Sequence, residues 1–300
     1  MPATITTGNW QAAQEPIARK SFVIGLGGRE LKERKNMYFR VEGSDKLTET
    51  YVEHGDIGPT PEFGGELEYE EVVQGYQSTI TNKQYAKGMR IDRLLVRTDQ
   101  LNIINSLPEM LGLSMRRRIA SDAASWFNDM FSTAFATRDG LALVSSAHTS
   151  NVGGSNQSNR ITTAFGPVAL SSARNTMRKF LTNKDNVFEA MPNLVFGSLD
   201  LEDAIDEVIK STGQVNTANN TINVHKGKWT GITDRRFSDS NNWCIADKEL
   251  MKKYQVWQDV DPVEFKQMDD FDGLTAKYRS YTVYGFGSTG WEWILGAEVD

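Results

Sequence analysis

Cysteine is nearly absent: the chain has one, Cys244, among 300 residues. An intramolecular disulfide framework is therefore excluded, as is any CxxC metal or redox motif, and a reducing compartment is implied. Histidine is almost as scarce, at three residues (His54, His148, His225), none at HxxxH or HExxH spacing. A zinc site would need ligands the sequence does not offer, so surface or packing histidines are expected. Also missing is a stretch of roughly 20 apolar residues that could cross a bilayer. The start, MPATITTGNWQ, has neither the basic end nor the apolar segment of a signal peptide, which places the protein in a cytoplasm and away from membranes.

Excess positive charge is absent too. Lys and Arg number 33 against 39 Asp and Glu, a net charge of −6. A nucleic-acid reader draws its affinity from clustered cations on phosphates, so this balance argues against one. It does not exclude a container for DNA, since an acidic wall repels packaged polyanion. Internal repeats and heptads are not found.

What is present is an ordinary globular composition, 39% hydrophobic and 24% charged, at a length that suits one large domain or two. Residues 1–40 have few apolar clusters apart from SFVIGL and suggest an extended arm packed on something other than its own core. From Leu47 to Asp92 the period is two: LTETYVEH, ELEYEE, YQSTIT and KQYAKGMRID alternate as half-buried strands do. Between them HGDIGPTPEFGG, with four glycines and two prolines, makes a long tip. Such a hairpin has little core of its own and needs a partner surface.

After Thr98-Asp99 the pattern turns helical. Met110, Leu111, Met115, Ile119, Ala123, Trp126, Phe127, Met130 and Ala134 recur at spacings of three and four, with Arg117, Ser121 and Asn128 opposite. Residues 106–135 would form a rod of roughly 45 Å. A second amphipathic helix is expected over 168–181, a buried strand at MPNLVFGS, and a helix at DLEDAIDEVIKS with acids in its first turns. WTGITDRRF, NNWCIADKE and the aromatic end segment suggest strands, while STGQVNTANNTIN and DVDPVEFKQMDDFDG suggest a polar loop and a solvated connection. The order is that of an α+β protein.

Candidate chemistry is thin. SFVIGLGGREL lacks both GxGxxG spacing and the Lys-Ser/Thr of a phosphate loop, so a flexible turn is expected. The acidic run 259–273 lacks the ligand alternation of a calcium loop. In DGLALVSSAHTSNVGG, Ser145 and Ser146 precede His148, but without the GxSxG elbow that exposes a hydrolase nucleophile. Here LALV is expected as a short strand and the Asn/Gly residues as a loop. No catalytic, cofactor-binding or metal-binding residue is assigned.

The passage YQSTITNKQYAKGMRIDRLLVRTDQLNIINSLPEMLGLSMRRRIASDAASWFNDMF, followed by DGLALVSSAHT, resembles the major head subunit of Mu-type tailed phages. MPNLVFGSLDLEDAIDEVI, the NTANNTIN loop and NNWCIADKE resemble that family's second half, so the resemblance covers about residues 45–290. It implies the Hong Kong 97-type capsid fold. Residues 1–44 would be an N-terminal arm and 45–82 the extended-loop hairpin. Residues 83–185 plus 263–300 would be a peripheral domain with a spine helix at about 99–136, and 186–262 an axial domain.

The function so implied is a non-enzymatic shell subunit. It would assemble with itself as pentamers and hexamers into an icosahedral shell around double-stranded DNA, which it would enclose without sequence-specific binding. A separate scaffolding protein, a portal and a decoration protein are the implied partners, and the virion, assembled in the bacterial cytoplasm, the location. Glu62, Phe63, Glu66, Glu68, Arg29, Arg34, Arg116 and Arg117 are the candidate inter-subunit contacts. An encapsulin-like compartment is the alternative within the fold, and a serine hydrolase using Ser146 and His148 the alternative outside it.

Overall fold

The computed structural model describes residues 7–27, 34–67, 69–92, 94, 98, 103–213, 222–270 and 274–300. Two compact units emerge, neither of them continuous in sequence: residues 1–47, 81–123 and 257–285 form one, and 48–80, 124–256 and 286–300 the other. The chain passes from one unit to the other at 47/48, 80/81, 123/124, 256/257 and 285/286. Within the second unit a shared sheet, described below, ties residues 160–161 and 194–246 to the C-terminal strand.

The first unit contains α1 (Thr7–Leu26), β1 (Arg40–Gly43), β4 (Lys83–Asp92) and most of the long helix α2 (Ile103–Asn128), with β9 (Gln255–Asp270) and β10 (Thr275–Ser288) supplying nearly all their length. The sheet order is β1-β9-β10-β4. β10 and β4 run antiparallel, from Thr275 opposite Asp92 to Tyr284 opposite Lys83. Ala276, Tyr278 and Ser280 alternate with outward residues and are buried on one face. There Ala276 and Tyr278 join Phe265, Ile91, Leu111, Ala18 and Phe22 in one core.

Two expectations are corrected here. Residues 7–26 are helical, not an extended arm, and α1 is buried against this unit's own core through Ala18 and Phe22. Two glycines permit that packing. A Cβ on Gly25 would lie 2.0 Å from the Glu109 carbonyl oxygen, and one on Gly112 would lie 2.2 Å from that of Phe22. SFVIGLG (21–27) is thus the close-packed end of a helix, which closes at Gly27 in the left-handed region (φ 61°). The run DVDPVEFKQMDD is the greater part of the 16-residue strand β9. Its charges misled because they alternate with Val263 and Phe265, which pack inward.

The Gly112 contact supports a stability prediction. In Gly112→Ala, a helix-propensity gain of about 1 kcal/mol opposes an overpacking cost of about 1–3 kcal/mol. The atoms in the way are backbone and cannot rotate aside, so a net loss is expected, with faster proteolysis within α1. An unchanged urea midpoint would show that the helices do not meet there.

The second unit is built on a five-stranded sheet of order β5-β11-β8-β6-β7, where β5 is Arg160–Ile161, β6 Leu194–Gly197, β7 Thr230–Thr233, β8 Trp243–Ala246 and β11 Ile294–Ala297. β6, β8 and β11 are buried at every position, as continuous apolar strands should be. The helices α3 (Pro167–Met177), α4 (Glu202–Lys210) and α5 (Lys248–Tyr254) accompany it. Trp126 is in edge-to-face contact with Phe127, Phe196, Phe237 and Trp293.

α2 stops at Asn128, short of the expected 135. Apolar spacing continues past its end because Met130, in a turn, and Phe135, in a short 3-10 helix (Thr133–Phe135), are also buried. Met110, expected on the apolar face, is 60% exposed, while Arg117, Ser121 and Asn128 are exposed as expected. LALV makes no strand; Ala142 forms one isolated bridge, with Ala136. ELEYEE is not a strand either, and NTANNTIN lies largely outside the described residues.

Candidate functional site: the hairpin and its anchor

β2 (Thr48–His54) and β3 (Gln74–Thr81) form their own two-stranded sheet. The alternating sequence makes strands, and the Gly/Pro-rich residues 55–73 between them cannot continue one. Phe63, Leu67 and Tyr69 on this tip are 70%, 68% and 89% exposed, and Ile57 and Val72 are exposed beside them. From residue 48 to 81 there are eight acidic residues and no Lys or Arg, a charge of −8 against −6 for the whole chain. Two strands alone cannot bury such a surface.

The base of the hairpin, by contrast, is closely held. Glu53 of β2 accepts from the Arg138 guanidinium at 2.9 Å and from Asn183 Nδ2 at 2.7 Å. Arg138 also pairs with Glu292, and all three side chains are at most 13% exposed. Burial alone would lower the Arg138 pKa; Glu292 and Glu53 beside it raise it instead, so the guanidinium stays charged.

A turn at 182–186 completes the anchor. Asn183 Oδ1 accepts the Asp56 N–H at 2.9 Å, and Asn183 Nδ2 also donates to the His54 carbonyl at 3.0 Å. Asn186 donates to Asp56 at 2.9 Å, and Lys184 pairs with Glu70 at 2.6 Å. Asp185 takes φ 63°, a left-handed conformation that Asp and Asn tolerate best. Hydrogen bonding from Asn186 holds the Asp56 carboxyl below its ordinary pKa, and Lys184 does so for Glu70. Both contacts therefore persist above the ordinary carboxylate range and are lost as pH falls through the lowered values.

The segment DGLALVSSAHTSNVGG supports that turn. Ser150 donates to the Asn183 carbonyl at 2.7 Å, and Gly154 passes so close that a Cβ would sit 2.4 Å from the same oxygen. His148 is a buried packing residue: its Nδ1 faces Asp139 at 2.7 Å, its Nε2 faces Asn159 at 3.1 Å, and its ring stacks on Trp291 at 4.4 Å. Both ring nitrogens are thus engaged by residues other than the serines. Ser146 is exposed, and Ser145 Oγ accepts from the Ala147 N–H. The geometry builds no dyad of His148 with Ser145 or Ser146.

Of the contact candidates, Glu62, Phe63 and Glu66 lie together, exposed, on the tip. Arg34 and Arg116 are half-buried in the other unit, and Arg117 is exposed on α2. Arg29 and Glu68 lie outside the described residues. Sequence reasoning missed Arg138, Asn183 and Asn186; the polar cluster TNKDN was the one available signal. Among the described residues no cluster of metal ligands occurs, and no helix is long and apolar enough to cross a membrane.

A family model described as phage capsid protein matches residues 75–295, more than half of the chain. The chain belongs to the phage capsid protein family. Its fold is that of Hong Kong 97-type capsid subunits, and its role is structural, that of a major capsid protein. Solved structures agree in fold at low identity. A chain of Mycobacterium phage Patience is 8% identical with a TM-score of 0.59, covering 99% of this chain and 90% of its own. The capsid of bacteriophage JBD30 decorated with minor capsid protein trimers gives 12%, 0.56, 67% and 90% in the same order. The capsid of cyanophage P-SCSP1u gives 9%, 0.56, 87% and 86%. No curated protein matches the sequence.

Proposed function

We propose that this capsid protein is the major head subunit of a Mu-type tailed phage, assembling as pentamers and hexamers into an icosahedral shell around double-stranded DNA. The observation that carries this reading is the hairpin: an apolar, acidic tip exposed to solvent on a base fixed by buried ion pairs. A single chain leaves that tip uncovered, and a neighbouring copy would cover it. In this reading residues 1–44 are the N-terminal arm, 45–82 the extended loop, 83–185 plus 263–300 the peripheral domain with α2 as its spine, and 186–262 the axial domain. Its inter-subunit contacts are Glu62, Phe63 and Glu66 on the tip, Arg34, Arg116 and Arg117 in the first unit, and Arg29 and Glu68, which lie outside the described residues.

The subunit acts without catalysis. It is made in the host cytoplasm, uses a separate scaffolding protein and a portal, and accepts a decoration protein, as the JBD30 capsid carries minor capsid protein trimers. Many weak contacts repeated around a closed lattice supply its stability. Negative-stain microscopy of the purified protein tests the reading. Shells, tubes or five- and six-fold rings are expected with or without a co-expressed scaffold; a monomer under every assembly condition would overturn it.

A further inference from the structure

His225 is a buried titratable group that the hairpin and its anchor leave unused. It is 3% exposed and lies in the segment 222–229, which turns and leads into β7. Its Nε2 is 3.0 Å from the Pro167 carbonyl oxygen and 3.0 Å from Ser171 Oγ, both in the first turns of α3. Its Nδ1 accepts the indole N–H of Trp229 at 3.3 Å. These partners fix the ring's proton: an indole nitrogen only donates and a carbonyl only accepts, so Nδ1 is bare and Nε2 carries the hydrogen. Ser171 therefore meets an N–H and not a base, and gains no activation as a nucleophile. The same segment is pinned on its other side. Asn223 Oδ1 accepts the His225 backbone N–H at 2.9 Å, and Asn223 Nδ2 donates to the Val208 and Ser211 carbonyls at the end of α4, at 2.6 and 3.0 Å. Val168, next to Pro167, and Ile222 and Val224, either side of Asn223, are exposed, so whatever moves this segment moves an apolar surface.

We propose that His225 is a pH-sensitive latch: with a neutral ring it clasps α3 to the segment before β7, and with a protonated ring it lets that segment go. The proposal stands apart from the shell-subunit reading. A proton added at Nδ1 points a second N–H at the indole N–H, which cannot turn round to accept, so a bond becomes two opposed donors. The new charge is also buried beside two cations, Arg174 of α3 and Lys228 of the turn, the charged groups that act on the ring among the described residues. Burial first, then Arg174 and Lys228, hold its pKa below the ordinary histidine value against the opposing pull of the Pro167 carbonyl. In the unfolded chain the ring takes up its proton near about pH 6.5. The latch therefore contributes fully above that pH, and its contribution is lost as pH falls through the lowered value. The other two histidines lack this arrangement: His54 is exposed, and both ring nitrogens of His148 face oxygen acceptors, on Asp139 and Asn159.

Hydrogen–deuterium exchange, corrected for the intrinsic effect of pH, tests this. Between about pH 7.5 and about pH 5, peptides spanning 222–229 are expected to lose roughly tenfold in protection, while those of β6 and β8 keep theirs. His225→Gln offers an amide N–H to Pro167 and an amide oxygen to Trp229 at every pH, so in that variant the fall should vanish. An unaltered chain whose segment stays protected at the lower pH would overturn the proposal, as would an equal fall in His225→Gln. A matching loss in β6 and β8 would sink it too, because the whole unit would then be opening. Should His225→Gln fail to fold, Trp229→Phe keeps the imidazole and removes the opposing N–H. The fall should then shrink roughly threefold, and an unchanged fall would refute the latch.

Discussion

Replacing residues 58–69 by a short glycine-serine bridge is expected to leave a folded subunit that cannot close a shell. The tip can be removed because what holds the hairpin lies outside it: Glu53 on Arg138 and Asn183, Asp56 on Asn183 and Asn186, and Lys184 on Glu70. The Gly55 N–H to Val73 carbonyl bond, 2.7 Å long, still closes the ladder, and a shorter loop costs less chain entropy. What is lost is Phe63 and Leu67. Burying each against a neighbour contributes about 1.5–3 kcal/mol, and the loss recurs at every subunit of a lattice. The melting temperature should stay within a few degrees of the unaltered chain while shells vanish from the micrograph. Shells at normal yield would remove the tip from the assembly contacts.

The second large effect is expected at Arg138. Arg138→Ala removes the cation between Glu53 and Glu292 and leaves two buried carboxylates facing one another. Breaking a buried pair in this way costs about 3–5 kcal/mol, which for a chain of this size lowers Tm by roughly 6–20 °C. Arg138→Lys keeps the charge but not the planar fork that reaches both acids, so an intermediate loss is expected. The triple variant Arg138→Met, Glu53→Gln, Glu292→Gln removes all three charges and should recover much of the stability. If Arg138→Ala melted like the unaltered chain, the cluster would not be what holds the hairpin.

Several parts of the molecule were legible from local pattern alone. Period-two alternation marked β2, β3 and β4, and three-four spacing marked α2 as far as Asn128. The break at Asn82 was visible, though not its reason. Asn82 sends its N–H to the Leu47 carbonyl and its Nδ2 to that of Lys46, at 2.8 Å each, as the strand leaves one sheet for another. The exposed tip was legible as well, because glycine, proline and glutamate together can form neither a strand nor a core.

Other features depend on residues far apart in the chain, and no window of sequence contains them. SFVIGLGG suggests a turn until the Glu109 carbonyl is placed against Gly25, and β9 suggests a solvated linker until β10 is laid beside it. Arg138, an ordinary surface arginine by sequence, becomes a buried anchor when Glu53 and Glu292, 85 residues before it and 154 after, converge on it. His148 became a packing residue when Asp139, Asn159 and Trp291 closed around its ring.

By itself, then, the sequence determined the class of protein, most of its elements, and the presence of a long Gly/Pro-rich loop between two strands. Tertiary structure alone decided what holds that loop at its base. Periodicity and composition act between near neighbours, whereas ion pairs and close glycine contacts form only after the chain has brought distant segments within a few ångströms.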